Sequence, residues 1–266
     1  DPPGEIYTGE IWFEGRDLCS LTQDELAELR GARIAMVFQE PMTALNPVYT
    51  IGDQISEVTM VHQNLSRTAA KARAIELLDL VRFPSPNKRS NAYPHQLSGG
   101  LRQRAMIAMA LAGEPALLIA DEPTTALDVT LQSQIVELFL ELQSQLKMAI
   151  QFISHDFAVI SEIADEVMVL YAGRPVEHAS ASVLFQNPRH PYTQGLLATV
   201  PRLGTYQRRL PTIRGQIPDL DTLPRGCPFH DRCSMAEPEC IENEPTFEEV
   251  EADHWVACLK VKPEPQ

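Results

Sequence analysis

No lysine in this chain follows a glycine. The five lysines are Lys71, Lys88, Lys147, Lys260 and Lys262. The loop Gly-x-x-x-x-Gly-Lys-Ser/Thr, whose backbone amides cradle phosphates, is therefore absent from these 266 residues. Long hydrophobic runs are absent too, since no stretch approaches the ~20 apolar residues of a membrane-spanning helix. Positive charge is scarce: 22 Lys and Arg stand against 36 Asp and Glu, a formal net charge of −14. That balance argues against broad binding along a nucleic-acid backbone, with only a local basic patch left open. Cysteine is sparse and uneven, five in all, four of them between positions 227 and 258. No secretory leader is visible. The chain opens on Asp1 rather than Met, so that silence excludes nothing. The length allows one or two domains.

What is present is concentrated in two strings. Leu117–Pro123 reads LLIADEP, a short apolar run ending in two carboxylates, as a buried strand reads when it delivers acids to the edge of a sheet. Asp121 sits where a carboxylate can hold Mg²⁺, directly or through water. Glu122, next along, can polarise an attacking water. The bland alternative is a capped strand end. Leu97–Arg104 reads LSGGLRQR, a Ser-Gly-Gly turn opening a helix. Its hydroxyl and free amides make a natural phosphate site, and the bland alternative is a plain N-cap.

The rest of the chain alternates strand and helix. EIYTGEIWFEGRDL reads as strand and turn. LTQDELAELR is a short helix capped by Thr22, with Glu25 three residues on. RIAMVFQ is a buried strand ending at Gln39. Residues 43 to 112 read as mostly helical. In LQSQIVELFLELQSQL, Leu131, Ile135, Leu138, Leu142 and Leu146 share one face. AIQFIS and EVMVLY come next as strands. This order predicts a parallel α/β sheet.

The order of the strings is more specific than any one of them. Gln39 after RIAMVF, then LSGGLRQR, LIADEP, TTALD with Asp128 and ISHD with His155 resemble the ATP-binding subunits of ABC transporters, over residues 1 to about 200. The resemblance implies a P-loop NTPase (RecA-like) α/β core with a helical subdomain at about 43–112. It makes Gln39 the Q-loop glutamine, Ser98, Gly99 and Gly100 the signature motif, and Asp121 the Walker B aspartate. Glu122 becomes the catalytic glutamate, Asp128 the D-loop aspartate and His155 the switch histidine. It implies ATP and Mg²⁺ as ligands, with Asp121 and Gln39 at the metal. Such subunits pair, as homo- or heterodimers, and the signature motif of one closes on the ATP of the other. The opening PPGEIYTGEIWFEG resembles the segment that comes after the Walker A helix in family members. The expectation is therefore N-terminal truncation, and a chain that does not hydrolyse ATP alone.

Val183–Pro201, VLFQNPRHPYTQGLLATVP, resembles the extension found in dipeptide and oligopeptide importers. AYPHQLSGG and TTALDVTLQ agree, with Leu101 where Met or Gln is common. The resemblance implies two transmembrane permease subunits and, indirectly, an external solute-binding protein. It also implies a peripheral place on the cytoplasmic face of the inner membrane, and no nucleic-acid partner. Two rival functions are a non-hydrolysing subunit that completes a partner's site and a soluble ABC-type ATPase acting on nucleic acid. Residues 201–266 form an irregular Cys-rich extension. Cys227, Cys233, Cys240 and Cys258 are wider apart than usual zinc pairs. Four thiolates suit a 4Fe–4S cluster, and some peptide-importer subunits carry one at this place. Zn²⁺ and unligated thiols remain alternatives, and His230 or His254 could replace a thiolate. Pro238 and Pro245 are expected to prevent regular structure. Cys19 reads as a buried thiol.

Overall fold

The computed structural model describes residues 6–125, 127–200 and 212–262. Two compact units divide at 155/156, whereas the sequence pattern puts the boundary near residue 200. Pro201 and the residues after it to 211 lie outside the described segments.

In the first unit, a short antiparallel pair, β1 (Trp12–Phe13) and β2 (Arg16–Asp17), precedes helix α1 (Gln23–Leu29). Thr22 caps α1 as expected. Its hydroxyl accepts from Glu25 N–H and the Glu25 carboxylate accepts from Thr22 N–H, a full capping box. Cys19 is exposed rather than buried. It sits on the 3₁₀ turn Leu18–Ser20, where no core lies against it.

Three parallel strands carry the site: β3 (Ile34–Val37), β4 (Leu117–Asp121) and β5 (Ala149–Ile153), with β4 in the middle. Ala35, Val37, Leu118 and Ala120 face the core. Met36 and Ile153, on the alternate positions, are exposed. The strands thus alternate instead of being buried on both faces.

Between β3 and β4 run α2 (Pro41–Ala44), α3 (Ile51–Gln63), α4 (Arg67–Leu80), α5 (Pro86–Arg89) and α6 (Gly99–Leu111). The expected helical stretch is thus present. Helix α6 packs on α3, on α4 and on β3, so it joins the helical layer to the sheet. Just beyond α6 the backbones close tightly: a Cβ on Gly113 would lie 1.7 Å from the Gly31 carbonyl oxygen. Helix α7 (Val129–Leu146) buries Ile135, Val136, Leu138, Phe139 and Leu142. Phe139 meets Phe152 of β5 edge-on at 5.5 Å. Leu146 is exposed, because the buried stripe turns toward Val136 and Phe139 as the 3.6-residue period requires.

The second unit begins with α8 (Phe157–Ile163). EVMVLY, expected as a parallel strand, is instead β6 (Glu166–Tyr171) of an antiparallel sheet. It pairs with β7 (Arg174–Ser180) through a two-residue turn, Ala172-Gly173, with φ of 48° and 77°. Both positive φ values match the twist of a hairpin. Helices α9 (Ala181–Gln186), α10 (Pro191–Thr199) and α11 (Pro238–Glu242) come next, then β8 (Glu248–Glu251) and β9 (His254–Val256). The sheet order is β6-β7-β9-β8. Among its described residues the tail is therefore not wholly irregular. Pro238 opens α11 at its first position, where a missing N–H costs nothing. Phe229 joins Val167, Val169, Tyr171, Val176 and Leu184 in one core, its ring 5.2 Å from Tyr171 and 5.3 Å from Tyr192. Among the described residues no helix is long and apolar enough to cross a membrane.

Candidate functional site

The site lies at the carboxyl ends of the parallel strands, where open α/β sheets place their ligands. Asp121 is the last residue of β4, in register with Ile153 of β5. Gln39 comes after the end of β3, the neighbouring strand on the other side, and is exposed. Glu122 turns off the strand with φ of 48°, a left-handed conformation unusual for a residue with a side chain. Its N–H is held by the Ile153 carbonyl at 3.0 Å. His155 stands two residues beyond β5. Its Nδ1 lies 2.9 Å from both carboxylate oxygens of Glu122. The carboxylate can only accept, so Nδ1 carries the proton.

A third group completes the contact. The Thr125 hydroxyl donates to Glu122 Oε2 at 2.6 Å. Burial pushes the Glu122 carboxyl up, but the hydrogen bonds from Thr125 and His155 and the charge of His155 outweigh it. The group is left below its ordinary value. Glu122 is thus ionised at neutral pH and able to accept a proton. Sequence reading missed Thr125. The signal was there, in a hydroxyl three residues after the acid, within a turn.

Ser98 stands at the N-cap of α6, yet its hydroxyl makes no cap hydrogen bond. The plain-cap reading therefore fails. Gly99 faces open space, with nothing within 4 Å of where a Cβ would be. Gly100 is buried, its Cβ position 3.2 Å from Leu131 of α7. Two arginines brace the turn: Arg102 donates to the Pro94 carbonyl at 2.8 Å and Arg104 to the Val81 carbonyl at 2.7 Å. Asp128 caps α7 by accepting from Leu131 N–H at 2.9 Å, and remains exposed. The structure thus joins Glu122 to His155 directly and sets Asp121 and Gln39 on the same sheet edge. Ser98–Gly100 and Asp128 sit at two helix N-termini.

Cys227, Cys233, Cys240 and Cys258 line one small cavity with His230 and Lys260. Burial pushes the thiols of Cys227, Cys233 and Cys258 up, and neighbouring cysteines add to the shift. The Cys227 N–H bonds the Cys240 carbonyl at 2.8 Å. Even so, among the described residues no three metal-ligating side chains are grouped to hold an ion. The structure therefore does not by itself show the expected four-cysteine ligand sphere. His254 is not among the residues lining that cavity, and its Nε2 bonds Glu177 at 2.8 Å. His230 instead turns Nδ1 to the Cys227 carbonyl, 2.8 Å away.

Residues 3–125 match the family model of the ABC transporter. Residues 176–240 match that of the oligopeptide/dipeptide transporter C-terminal region. A probable peptide ABC transporter ATP-binding protein of Sinorhizobium fredii is 50% identical over 95% of this chain and 76% of its own length. The oligopeptide transport ATP-binding protein OppD of Bacillus subtilis is 49% identical over 99% of this chain and 74% of its own. A dimeric ATP-binding cassette solved in a post-hydrolysis state with ADP and Pi superposes with a TM-score of 0.60 at 28% identity, over 66% of this chain and 74% of that one. A cassette from Clostridium perfringens, part of an ABC transporter complex, gives 0.60 at 27% identity, over 68% and 69%. The fold is that of an ABC-type ATPase. The chain belongs to the family of peptide ABC transporter ATP-binding subunits. The first match begins at residue 3, so the expected missing N-terminal region is not confirmed by it. The sequence still contains no Gly-Lys pair.

Proposed function

We propose that the chain hydrolyses ATP to power import of peptides or related small solutes through a membrane transporter. Glu122 accepts a proton from the water that attacks the γ-phosphate. His155 holds the carboxylate at rest and turns to the phosphate when ATP is present. Asp121 and Gln39 would hold Mg²⁺, which would neutralise phosphate charge when bound. Ser98, Gly99 and Gly100 close on ATP carried by a second such subunit, and Asp128 lies at that junction. The bare hydroxyl of Ser98 and the open space at Gly99 support this use. No residue of this chain is given the phosphate cradle, because no glycine precedes a lysine. The partners are a second ATP-binding subunit, two permease subunits and, through them, an external binding protein, with this chain peripheral on the cytoplasmic face.

The observation that carries the reading is the Glu122 carboxylate, fixed at the edge of the central strand and 2.9 Å from His155 Nδ1. The test is peptide-stimulated ATP turnover by the transporter reconstituted in vesicles. Dependence on this chain supports the reading, and turnover indifferent to it sinks the reading.

For the tail we propose a 4Fe–4S cluster on Cys227, Cys233, Cys240 and Cys258. The four-thiol donor set lining one cavity supports it. A cluster places each thiolate on its own iron, so its sulfurs stand further apart than around one zinc. The thiols' raised proton affinity would be overcome by metal binding, which releases those protons. The role is structural, tying three separate segments of the tail together. Anaerobic protein should be brown and carry about four irons per chain, and Cys233→Ser should bleach it. Colourless anaerobic protein refutes the cluster.

A further inference from the structure

Glu122 is ordered by more than its histidine. His155 Nδ1 is 2.9 Å from Oε1 and 2.9 Å from Oε2, so it does not choose between the two oxygens. The last torsion of a glutamate is broad and roughly two-fold, so the carboxylate alone does not choose either. Thr125 does. Its hydroxyl reaches Oε2 at 2.6 Å. Its N–H closes the turn on the Glu122 carbonyl at 3.1 Å. Thr125 is therefore attached twice to a residue held at a positive φ of 48°.

We infer that Thr125 is a positioning residue for ATP hydrolysis, holding Oε2 of Glu122 so that Oε1 is the oxygen presented to water. This rests on Glu122 being the general base. When His155 leaves the carboxylate for a phosphate, the Thr125 bond is what remains to fix its rotation. A freely turning carboxylate spends less time aimed at the water, and reactions of this kind depend steeply on near-attack geometry. The main-chain bond of the turn survives any substitution at 125. The hydroxyl is separable from it, which makes the inference testable.

The experiment uses the assembled transporter and compares Thr125→Val, Thr125→Ala and Thr125→Ser. Val keeps the shape and loses the hydroxyl. Val and Ala should each lower kcat by about ten- to a hundred-fold, with KM for ATP and ATP-driven closure of the two subunits unchanged. Ser should restore kcat. In a Glu122→Gln background, Thr125→Val should lower the residual rate no further, because two residues acting through one group are not additive. A merely structural threonine would give the opposite pattern: a raised KM, no rescue by Ser, or an additive loss. If Val and Ala turn over at the wild-type rate while Glu122→Gln is inactive, Thr125 has no such role and Glu122 keeps its own. If Glu122→Gln itself stays active, the general-base reading fails first. Should Val not fold, Ala against Ser decides the matter by the same criteria.

Discussion

Each unit of this protein holds a glutamate hydrogen-bonded to a histidine, and the two pairs differ sharply in burial. In the first unit, Glu122 and His155 are 2.9 Å apart, with side-chain exposures of 19% and 77%. In the second, Glu177 and His254 are 2.8 Å apart, with exposures of 0% and 1%. The exposed histidine can exchange its partner for a ligand at little desolvation cost. The sealed pair cannot, because an unpaired charge there would be left in a dry interior. Glu177 is further committed by the N–H groups of Arg189 at 2.6 Å and His190 at 3.0 Å. It thus ties the Pro188–His190 loop to β7 and both to β9, which is 77 positions on. On the proposed reading, the same chemistry serves a reaction in one unit and architecture in the other.

The comparison breaks most visibly at Glu122. Glu122→Gln keeps the volume but cannot accept a proton. ATP turnover of the assembled transporter should fall by about 10²–10⁴-fold, the usual worth of a general base. ATP binding and subunit closure should survive, as measured by nucleotide retention. Its melting should be nearly unchanged. Wild-type turnover in this variant would falsify the catalytic assignment.

At Glu177 the effects should invert. Glu177→Ala leaves two main-chain donors and a histidine buried without an acceptor. Removing one partner of a buried pair costs roughly 3–5 kcal/mol, so denaturant unfolding should show a large loss. A variant as stable as wild type would show that the sealed pair contributes nothing to the fold.

Much of the first unit was legible in the sequence, and little of the second. Thr22 and Glu25 sit three residues apart, so their capping box is a local fact. The strands leading to Gln39 and Glu122 announce themselves by short apolar runs, and the helices between them by their periodicity. The left-handed turn at Glu122 was not legible from an apolar pattern, and the grip of Thr125 was signalled only by a hydroxyl three residues after the acid. In the second unit the decisive contacts span long separations. Glu177 and His254 are 77 positions apart, and Phe229 fills a core built around Tyr171. Prolines at 238 and 245 suggest disorder to a local reading. Tertiary burial of Phe229 and the pairing of β9 with β7 override that suggestion.

His190 sharpens the comparison through pH. It is 1% exposed, and burial depresses its pKa from 6.5 to about 4, with Glu177 and the Ala257 main chain acting the other way. The folded value is the lower one, so the unfolded chain binds more protons between the two values. The contribution is fully present above pH 6.5 and is lost as pH falls toward 4. Its size is about 3 kcal/mol, from roughly 2.5 pKa units at 1.36 kcal/mol each. Equilibrium unfolding followed from pH 7 to pH 4 should show this loss. His190→Asn should flatten it, since Asn still supplies an oxygen to the Tyr192 N–H that Nδ1 now accepts. An unchanged slope in the variant would assign the acid sensitivity to other groups.

The smallest effect is expected where an acid pair is neither sealed nor near the chemistry. Arg82 bridges Glu137 at 3.1 Å and also meets Glu141, both on α7, and the Arg82 and Glu137 side chains are 44% and 60% exposed. Water screens such a pair, and holding two long side chains costs entropy, so exposed bridges are worth about 0–1 kcal/mol. Glu137→Gln leaves Arg82 its second carboxylate. Unfolding free energy should therefore move by less than about 0.5 kcal/mol, as for ordinary surface substitutions, and ATP turnover should not move at all. Three glutamates then rank by surroundings alone: Glu177 by burial, Glu122 by its place at the strand edge, Glu137 by neither. A loss at Glu137 as large as that at Glu177 would show that burial is not what separates the two histidine pairs.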